Sequence, residues 1–339
     1  MNSILITGGA GFIGINTAQH FINLGWQVTI LDNLSRHGSD RNLAWIKNKY
    51  EKINFHKIDI RDKEAIEKIF KSNNFDLIIH LAAQVAVTTS CQNPRNDFEI
   101  NALGTFNILE SIRTYMPEAF FINASTNKVY GALESVETEL DENGYVFKLL
   151  RKGIAESHPL DLHSPYGCSK GIADLYTIDY SRIFNLNTCS FRQSCIYGKH
   201  QFGIEDQGWV AWFSIAGILD RQITFFGDGW QTRDILDVRD LCKAYELAWI
   251  NKDNISGQAF NIGGGVNNTV CLRKLINFIE EDIDKKIKPI IKETRPGDQP
   301  VYISDINKAK LMLSWEPSIR VEEGVKDLLL WINENKVLF

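Results

Sequence analysis

One stretch constrains this chain more than any other: Ile4-Leu5-Ile6 passes straight into Gly8-Gly9-Ala10-Gly11-Phe12-Ile13-Gly14 and then into an amphipathic segment. The spacing of Gly8, Gly11 and Gly14 suits a strand that turns sharply into a helix. Gly8 permits the turn, Gly11 lets backbone N–H groups approach an anion at the helix N-terminus, and Gly14 lets helix and strand pack closely. A chain that starts this way predicts an α/β fold, a doubly wound parallel sheet with a dinucleotide pyrophosphate on its first turn. The bland alternative, a glycine turn without a ligand, leaves Asp32 unexplained. That carboxylate ends the second predicted strand, Val28–Leu31, where it can accept from the adenosine ribose hydroxyls. It would repel a 2′-phosphate, so NAD is favoured over NADP. Arg36, close behind, can either pair with such a phosphate or stand solvated on its loop.

The rest of the first two-thirds alternates short β-branched runs with amphipathic segments, the mark of βα units. Strands are predicted at Ile4–Thr7, Val28–Leu31, Asn54–Ile58, Leu77–Leu81, Phe120–Asn123 and Thr188–Arg192. Helices are predicted near Ile13–Leu24, Lys63–Phe70, Ala102–Arg113 and Tyr166–Phe184. Six strands suit a Rossmann-type sheet. With 339 residues the chain exceeds a single core, so a smaller domain is expected beside the large one. We place the dinucleotide-binding domain at 1–195 and a substrate-binding domain at 196–339, interleaved so that part of 232–265 returns to the first. The stretch 132–163 has the least periodicity and reads as an irregular loop.

Bulk properties exclude other classes. The formal charge of −5 is spread without blocks, which argues against a nucleic-acid binder. The six cysteines form no CxxC and no Cys/His cluster, so neither a zinc site nor a disulfide framework is expected. Met1 leads directly into the first strand without a basic leader, and no apolar run approaches the roughly 20 residues of a membrane span. The expectation is a cytoplasmic protein with no membrane partner.

Tyr166 and Lys170 stand four apart after Pro165, which is placed to open a helix, so both side chains share one face. They can be ordinary surface residues. Chemistry offers a sharper reading, because a phenol near its free pKa of ~10 is a poor base at neutral pH and needs positive charge nearby. An ammonium at ~4 Å supplies ~4 kcal/mol at an effective dielectric of ~20. Oxidised nicotinamide would add a second positive charge.

The segments TGGAGFIG, Asp32-Asn33, Asp59-Ile60 and His80-Leu81-Ala82-Ala83 resemble the extended short-chain dehydrogenase/reductase family over nearly the whole chain. The resemblance implies a cofactor shell of Gly8, Gly11, Phe12, Ile13, Gly14, Asp32, Asn33, Ser35, Arg36, Asp59, Ile60, Leu81, Ala82, Ala83, Asn101 and Ser125, with Tyr166 and Lys170. Ala124-Ser125-Thr126-Asn127-Lys128-Val129-Tyr130-Gly131 is similar to the family's SSxxxVYG segment and sets Thr126 beside Tyr166 and Lys170 as the third catalytic residue. Its hydroxyl can hold the reacting oxygen; a turn-capping hydroxyl is the alternative. His80 reads as a strand-end packing residue.

Later segments, including Gly227–Asp234, Phe260–Gly264 and Arg295–Gln299, resemble the family's nucleotide-sugar members. By that resemblance Arg233 and Arg295 clamp the substrate diphosphate, and Ser90, Ser194, Gln207, Trp209 and Val210 join Thr126 on the substrate side. Trp209 and Trp212, three apart, can equally be core or subunit contacts. A 4,6-dehydratase would carry an acid pair after Thr126, where this chain has Asn127 and Lys128. Oxidation and reduction of one carbon, an epimerase reaction, is therefore the better expectation. The combination of Gln84–Ser90, Ser125–Gly131, His163–Lys170 and Asp206–Val210 is most similar to epimerases of a CDP-linked 3,6-dideoxyhexose, which implies inversion at C2 and a CDP-sugar partner. A UDP-hexose 4-epimerase would use the same triad, and a non-catalytic NAD-binding sensor would keep only the fold. The family also implies a homodimer or homotetramer through helices Ala102–Arg113 and Tyr166–Phe184.

Overall fold

A computed structural model describes residues 1–294 and 299–339. The chain opens with β1 (Ser3–Thr7), α1 (Phe12–Asn23), β2 (Gln27–Asp32), α2 (Ser39–Lys49), β3 (Asn54–Lys57), α3 (Lys63–Ser72) and β4 (Leu77–His80). Two short helices, α4 (Val87–Gln92) and α5 (Pro94–Phe98), lead through a π-helical turn at Glu99–Leu103 into α6 (Gly104–Tyr115). Then follow β5 (Phe120–Thr126), a hairpin of β6 (Thr138–Asp141) and β7 (Gly144–Phe147), the long α7 (Ser164–Phe184) and β8 (Thr188–Gln193). Local chemistry sets the ends. Asp62 caps α3 through the Ala65 amide at 3.0 Å, Pro165 opens α7, and Asn185 closes it in the left-handed region.

After β8 the chain builds the smaller layer: β9 (Cys195–Tyr197), α8 (Trp209–Ile218), β10 (Thr224–Phe226), β11 (Thr232–Asp237) and α9 (Val238–Ile250). It then returns to the central sheet as β12 (Gln258–Ile262) before helices Leu272–Ile283 and Val321–Glu334. The sheet order is β12-β8-β5-β4-β1-β2-β3, with every pairing parallel. This is the doubly wound α/β arrangement that the opening motif predicts. The seventh strand is a correction to the six expected. Phe260, Asn261 and Ile262 are buried without a readable alternation, and they pair with Phe191, Arg192 and Gln193 of the distant β8, so only tertiary pairing reveals the strand. The β6/β7 hairpin likewise corrects the irregular loop expected over 132–163.

Both faces of the sheet are covered, which explains the run of fully buried residues in β1. Ile4 and Ile6 pack with Phe21, Ile122 and Phe260 beneath α1 and α9, while Leu5, Ile78 and Phe121 pack with Ile66, Ile108 and Ile112 under α3 and α6. A separate core joins α8 to Leu275, Ile279, Leu328 and Ile332. The carboxyl ends of the parallel strands, from Asp32 to Thr126 and Gln193, face this second unit across a cleft. Among the described residues no helix is long and apolar enough to cross a membrane.

Candidate active site

A cavity of about 950 Å³ fills the cleft. One wall is the glycine turn. Gly8 has φ +66°, and a Cβ there would lie 2.6 Å from the Ala82 amide nitrogen, so the turn and the end of β4 approach as only glycine allows. The Ala10 amide donates to one oxygen of Asp32 at 3.0 Å and the Leu34 amide to the other at 2.7 Å. Burial raises the Asp32 carboxyl above its ordinary range. Asn33 donates to Asp59 at 2.9 Å, and Arg61 holds the Asp59 carboxyl well below the usual carboxylate range.

The sequence-predicted cofactor residues gather here. Gly8 through Gly14, Asp32, Asn33, Ser35, Arg36, Asp59, Ile60, Leu81, Ala82, Ala83 and Ser125 contribute to the lining, Gly9 and Ala10 excepted. Asn101 does not. It is buried in the π-helical turn, where its side chain accepts from the Gln84 amide at 2.9 Å and donates to Asp97 at 3.2 Å and Ser169 at 3.1 Å. Its place is behind α7, not at the cofactor wall, because the extra residue of the π turn aims it at the Gln84 loop.

The catalytic candidates meet at the floor. Thr126 ends β5 and Tyr166 sits on the first turn of α7; the Thr126 hydroxyl donates to the Asn127 side-chain oxygen at 3.3 Å and accepts from the Lys128 amide at 3.2 Å. Burial pushes the phenol up to about 12, more than the neighbouring Thr126 hydroxyl and the Arg36 charge bring it down. Lys170 is buried and donates to the Ala124 carbonyl at 2.5 Å, with its ammonium lowered to about 8 by burial. Among the protein's own groups, desolvation outweighs the charges that act on the phenol. His80 is buried between Thr7, 2.7 Å from Nδ1, and Thr105, 3.1 Å from Nε2, and burial lowers its imidazole to about 3. It is a neutral strand-end residue.

On the substrate side Ser194, Gln207, Trp209, Val210 and Arg233 line the cavity with Thr126. The Ser194 hydroxyl is committed to the Asp234 backbone oxygen at 2.8 Å and to its carboxylate. Arg233 is buried and donates to the Gln299 carbonyl at 2.7 Å. Ser90 is not in the lining. Fully buried, it accepts from the Tyr166 amide at 3.1 Å and donates to the Val87 carbonyl at 2.7 Å, so it satisfies the start of α7 from behind. Arg295 lies outside the described residues. The sequence reading missed Ser39, Gln193, Cys195, His200, Phe202 and Phe226, all in the lining. Gln193 ends β8 in register with Thr126, a pairing only the folded sheet shows; Ser39 opens α2, and the others reach the cleft from loops and short strands.

Two buried hydroxyls in the lining, Ser39 and Ser125, have no hydrogen-bond partner among the described residues. Such groups are costly unless a ligand completes them. With the glycine cradle and the Asp32 carboxylate, they fit a dinucleotide.

The sequence profile of the family described as GDP-mannose 4,6 dehydratase matches residues 5–328. The chain belongs to that family. Among these extended short-chain dehydrogenase/reductases, it is 41% identical to the CDP-paratose 2-epimerase of Salmonella typhi, covering 97% of this chain and 98% of that one. The solved UDP-glucose 4-epimerase of Thermotoga maritima, with UDP-glucose, is 30% identical with a TM-score of 0.83, over 98% of this chain and 99% of that one. A dTDP-glucose 4,6-dehydratase of Bacillus anthracis, solved with NAD, is 26% identical with a TM-score of 0.81, over 100% and 99%. Membership in the extended short-chain dehydrogenase/reductases makes the chain an enzyme of the nucleotide-sugar epimerase and dehydratase class.

Proposed function

We propose that this enzyme is an NAD-dependent epimerase that converts CDP-paratose to CDP-tyvelose by inverting C2. The observation that carries the substrate is the 41% identity, over almost the full length of both chains, to a CDP-paratose 2-epimerase. Asn127 and Lys128 support epimerisation over dehydration, since neither can act as the carboxylic acid or carboxylate base that loss of water needs.

Gly8, Gly11 and Gly14 would cradle the NAD pyrophosphate, Asp32 would accept from the adenosine ribose, and Ser39 and Ser125 would gain the partners they lack. When bound there, NAD supplies a hydride acceptor that returns the hydride to the opposite face of the same carbon. Tyr166 takes the sugar hydroxyl proton as the carbon is oxidised and returns it on reduction, while Thr126 holds the same oxygen. Lys170 places its charge below the phenol from the Ala124 carbonyl, offsetting part of the cost of a buried phenolate. Arg233 offers a planar fork to the diphosphate. Trp209, Val210 and the turn at Gln207 close the substrate end and exclude water. The outward faces of α6 and α7 would pair two copies into a homodimer or half of a homotetramer.

The test is a panel of CDP-, UDP-, GDP- and dTDP-sugars in deuterated water, followed by NMR at each ring position. CDP-paratose should invert at C2 and carry no solvent deuterium. Deuterium at the inverted carbon would replace internal hydride return by deprotonation, and turnover confined to a UDP-hexose inverted at C4 would replace the substrate.

A further inference from the structure

Lys128 occupies a joint in the cavity wall. Its amide donates to the Thr126 hydroxyl oxygen at 3.2 Å, so the lysine and the catalytic threonine belong to one tight turn, continued by Asn127–Tyr130. Its carbonyl lies against the first turn of α7, where a Cβ on Gly167 would come within 3.4 Å of it. The half-buried side chain lines the cavity and places Nζ 3.5 Å from the Gln299 side-chain oxygen. Gln299 in turn donates to the Gly131 carbonyl and accepts from Arg233 through its own carbonyl. One network therefore ties the catalytic turn to the arginine strand β11, with the Lys128 ammonium between the two. In a nucleotide sugar, the part between the reacting carbon and the diphosphate is the sugar ring itself.

We infer that Lys128 grips the sugar ring through a hydroxyl and keeps that hold while the keto-sugar turns over between oxidation and reduction. The inference rests on the epimerase reading. Inversion requires the ring to offer first one face and then the other to the same hydride donor, while the diphosphate stays clamped. A guanidinium fork fixes the plane of what it holds. An ammonium on a four-carbon stem has rotatable donors that can follow a hydroxyl through the turn. This divides the work between two cations, a planar one on the diphosphate and a compliant one on the ring. An ammonium beside the carbonyl also cannot accept a ring proton while it stays charged, so the grip does not open a route to elimination.

The experiment compares the parent, Lys128→Met and Lys128→Arg, all purified with their cofactor, by calorimetric titration with CDP-paratose and with CDP and by turnover. Loss of one charge-assisted hydrogen bond should weaken CDP-paratose binding by Lys128→Met about tenfold or more. CDP binding should stay within about twofold in all three proteins, which also establishes that the variants fold. Lys128→Arg should bind CDP-paratose like the parent yet turn over about tenfold or more slowly, because a misdirected hold impairs the reacting geometry. Equal weakening toward CDP and CDP-paratose in Lys128→Met would assign the lysine to the diphosphate and overturn the inference. So would parental turnover in Lys128→Arg. If the parent ignores CDP-paratose, the substrate assignment fails, and the same split measured with UDP-glucose against UDP decides the role of Lys128.

Discussion

Lys170 shows how burial governs an ionisable side chain at the candidate site. Its ammonium is lowered from 10.5 to about 8, chiefly by desolvation. Between those pH values the unfolded chain binds more protons than the folded one, so the contribution of this group to stability must rise with pH across that window. Below about pH 8 both states are protonated and the full penalty applies. Lys170→Met removes the penalty but leaves the Ala124 carbonyl unpaired. It should therefore gain about 1–2 kcal/mol at about pH 7 in urea unfolding while losing turnover. The gain should shrink steadily above about pH 8; a constant difference across that range would contradict the assignment. The Tyr166/Lys170 pair was legible in the sequence because a four-residue spacing on a helix is a local property. Its protonation was not, since the phenol at about 12 reflects desolvation by segments far away in the chain.

At the scale of elements, the glycine turn shows why the opening of the chain could be read so directly. A Cβ on Gly14 would meet the Gly8 carbonyl oxygen at 2.4 Å and the Gly9 Cα at 2.5 Å, both backbone atoms with little freedom to move. Gly14→Ala should cost about 1–3 kcal/mol and release the dinucleotide, measured by thermal unfolding and by retained cofactor after gel filtration. Gly25→Ala is the control, with φ +79° but open space around it. It should cost about 1 kcal/mol and leave cofactor retention unchanged. Equal cofactor loss in both would mean that the close packing at Gly14 is not what serves the site. The reverse case is β12, whose short buried run has no periodicity to separate strand from helix, and the β6/β7 hairpin, whose Glu142-Asn143-Gly144 turn lies inside a polar stretch. Ser90 and Asn101 had a motif position but no sign of direction. Both turned out to support α7 from behind, because the short α4 and the π turn point their side chains toward the helix.

At the scale of the molecule, the cavity exists because the segment after β9 crosses between units. Phe202 packs against Gly38 beside α2 and near Trp331 in the other core, and the His200 carbonyl accepts from Asn42 at 3.2 Å. On the opposite side, α6 and α7 expose Phe106, Leu175, Tyr176, Ile183 and Phe184, with the Phe106 and Tyr176 rings edge to face at 5.9 Å. An apolar stripe of this kind favours a partner. Light scattering should find the parent as a dimer or tetramer and Phe106→Glu as a smaller species, since a charge would be buried there without a counterion. An unchanged mass would remove this face from the interface.

Sequence alone determined whatever depends on neighbours along the chain: the strand-to-helix turn that cradles an anion, the strand-ending Asp32, the helix that pairs Tyr166 with Lys170, and the non-acidic Asn127-Lys128 turn. Tertiary structure decided the seventh strand, the places of Ser90 and Asn101, the joining of Lys128 to Gln299 and Arg233, and the burial that raises the Tyr166 phenol and lowers the Lys170 ammonium. The physical reason is range. Backbone conformation and side-chain periodicity are set within a few residues, whereas desolvation and hydrogen-bond partnership depend on segments that only folding brings together.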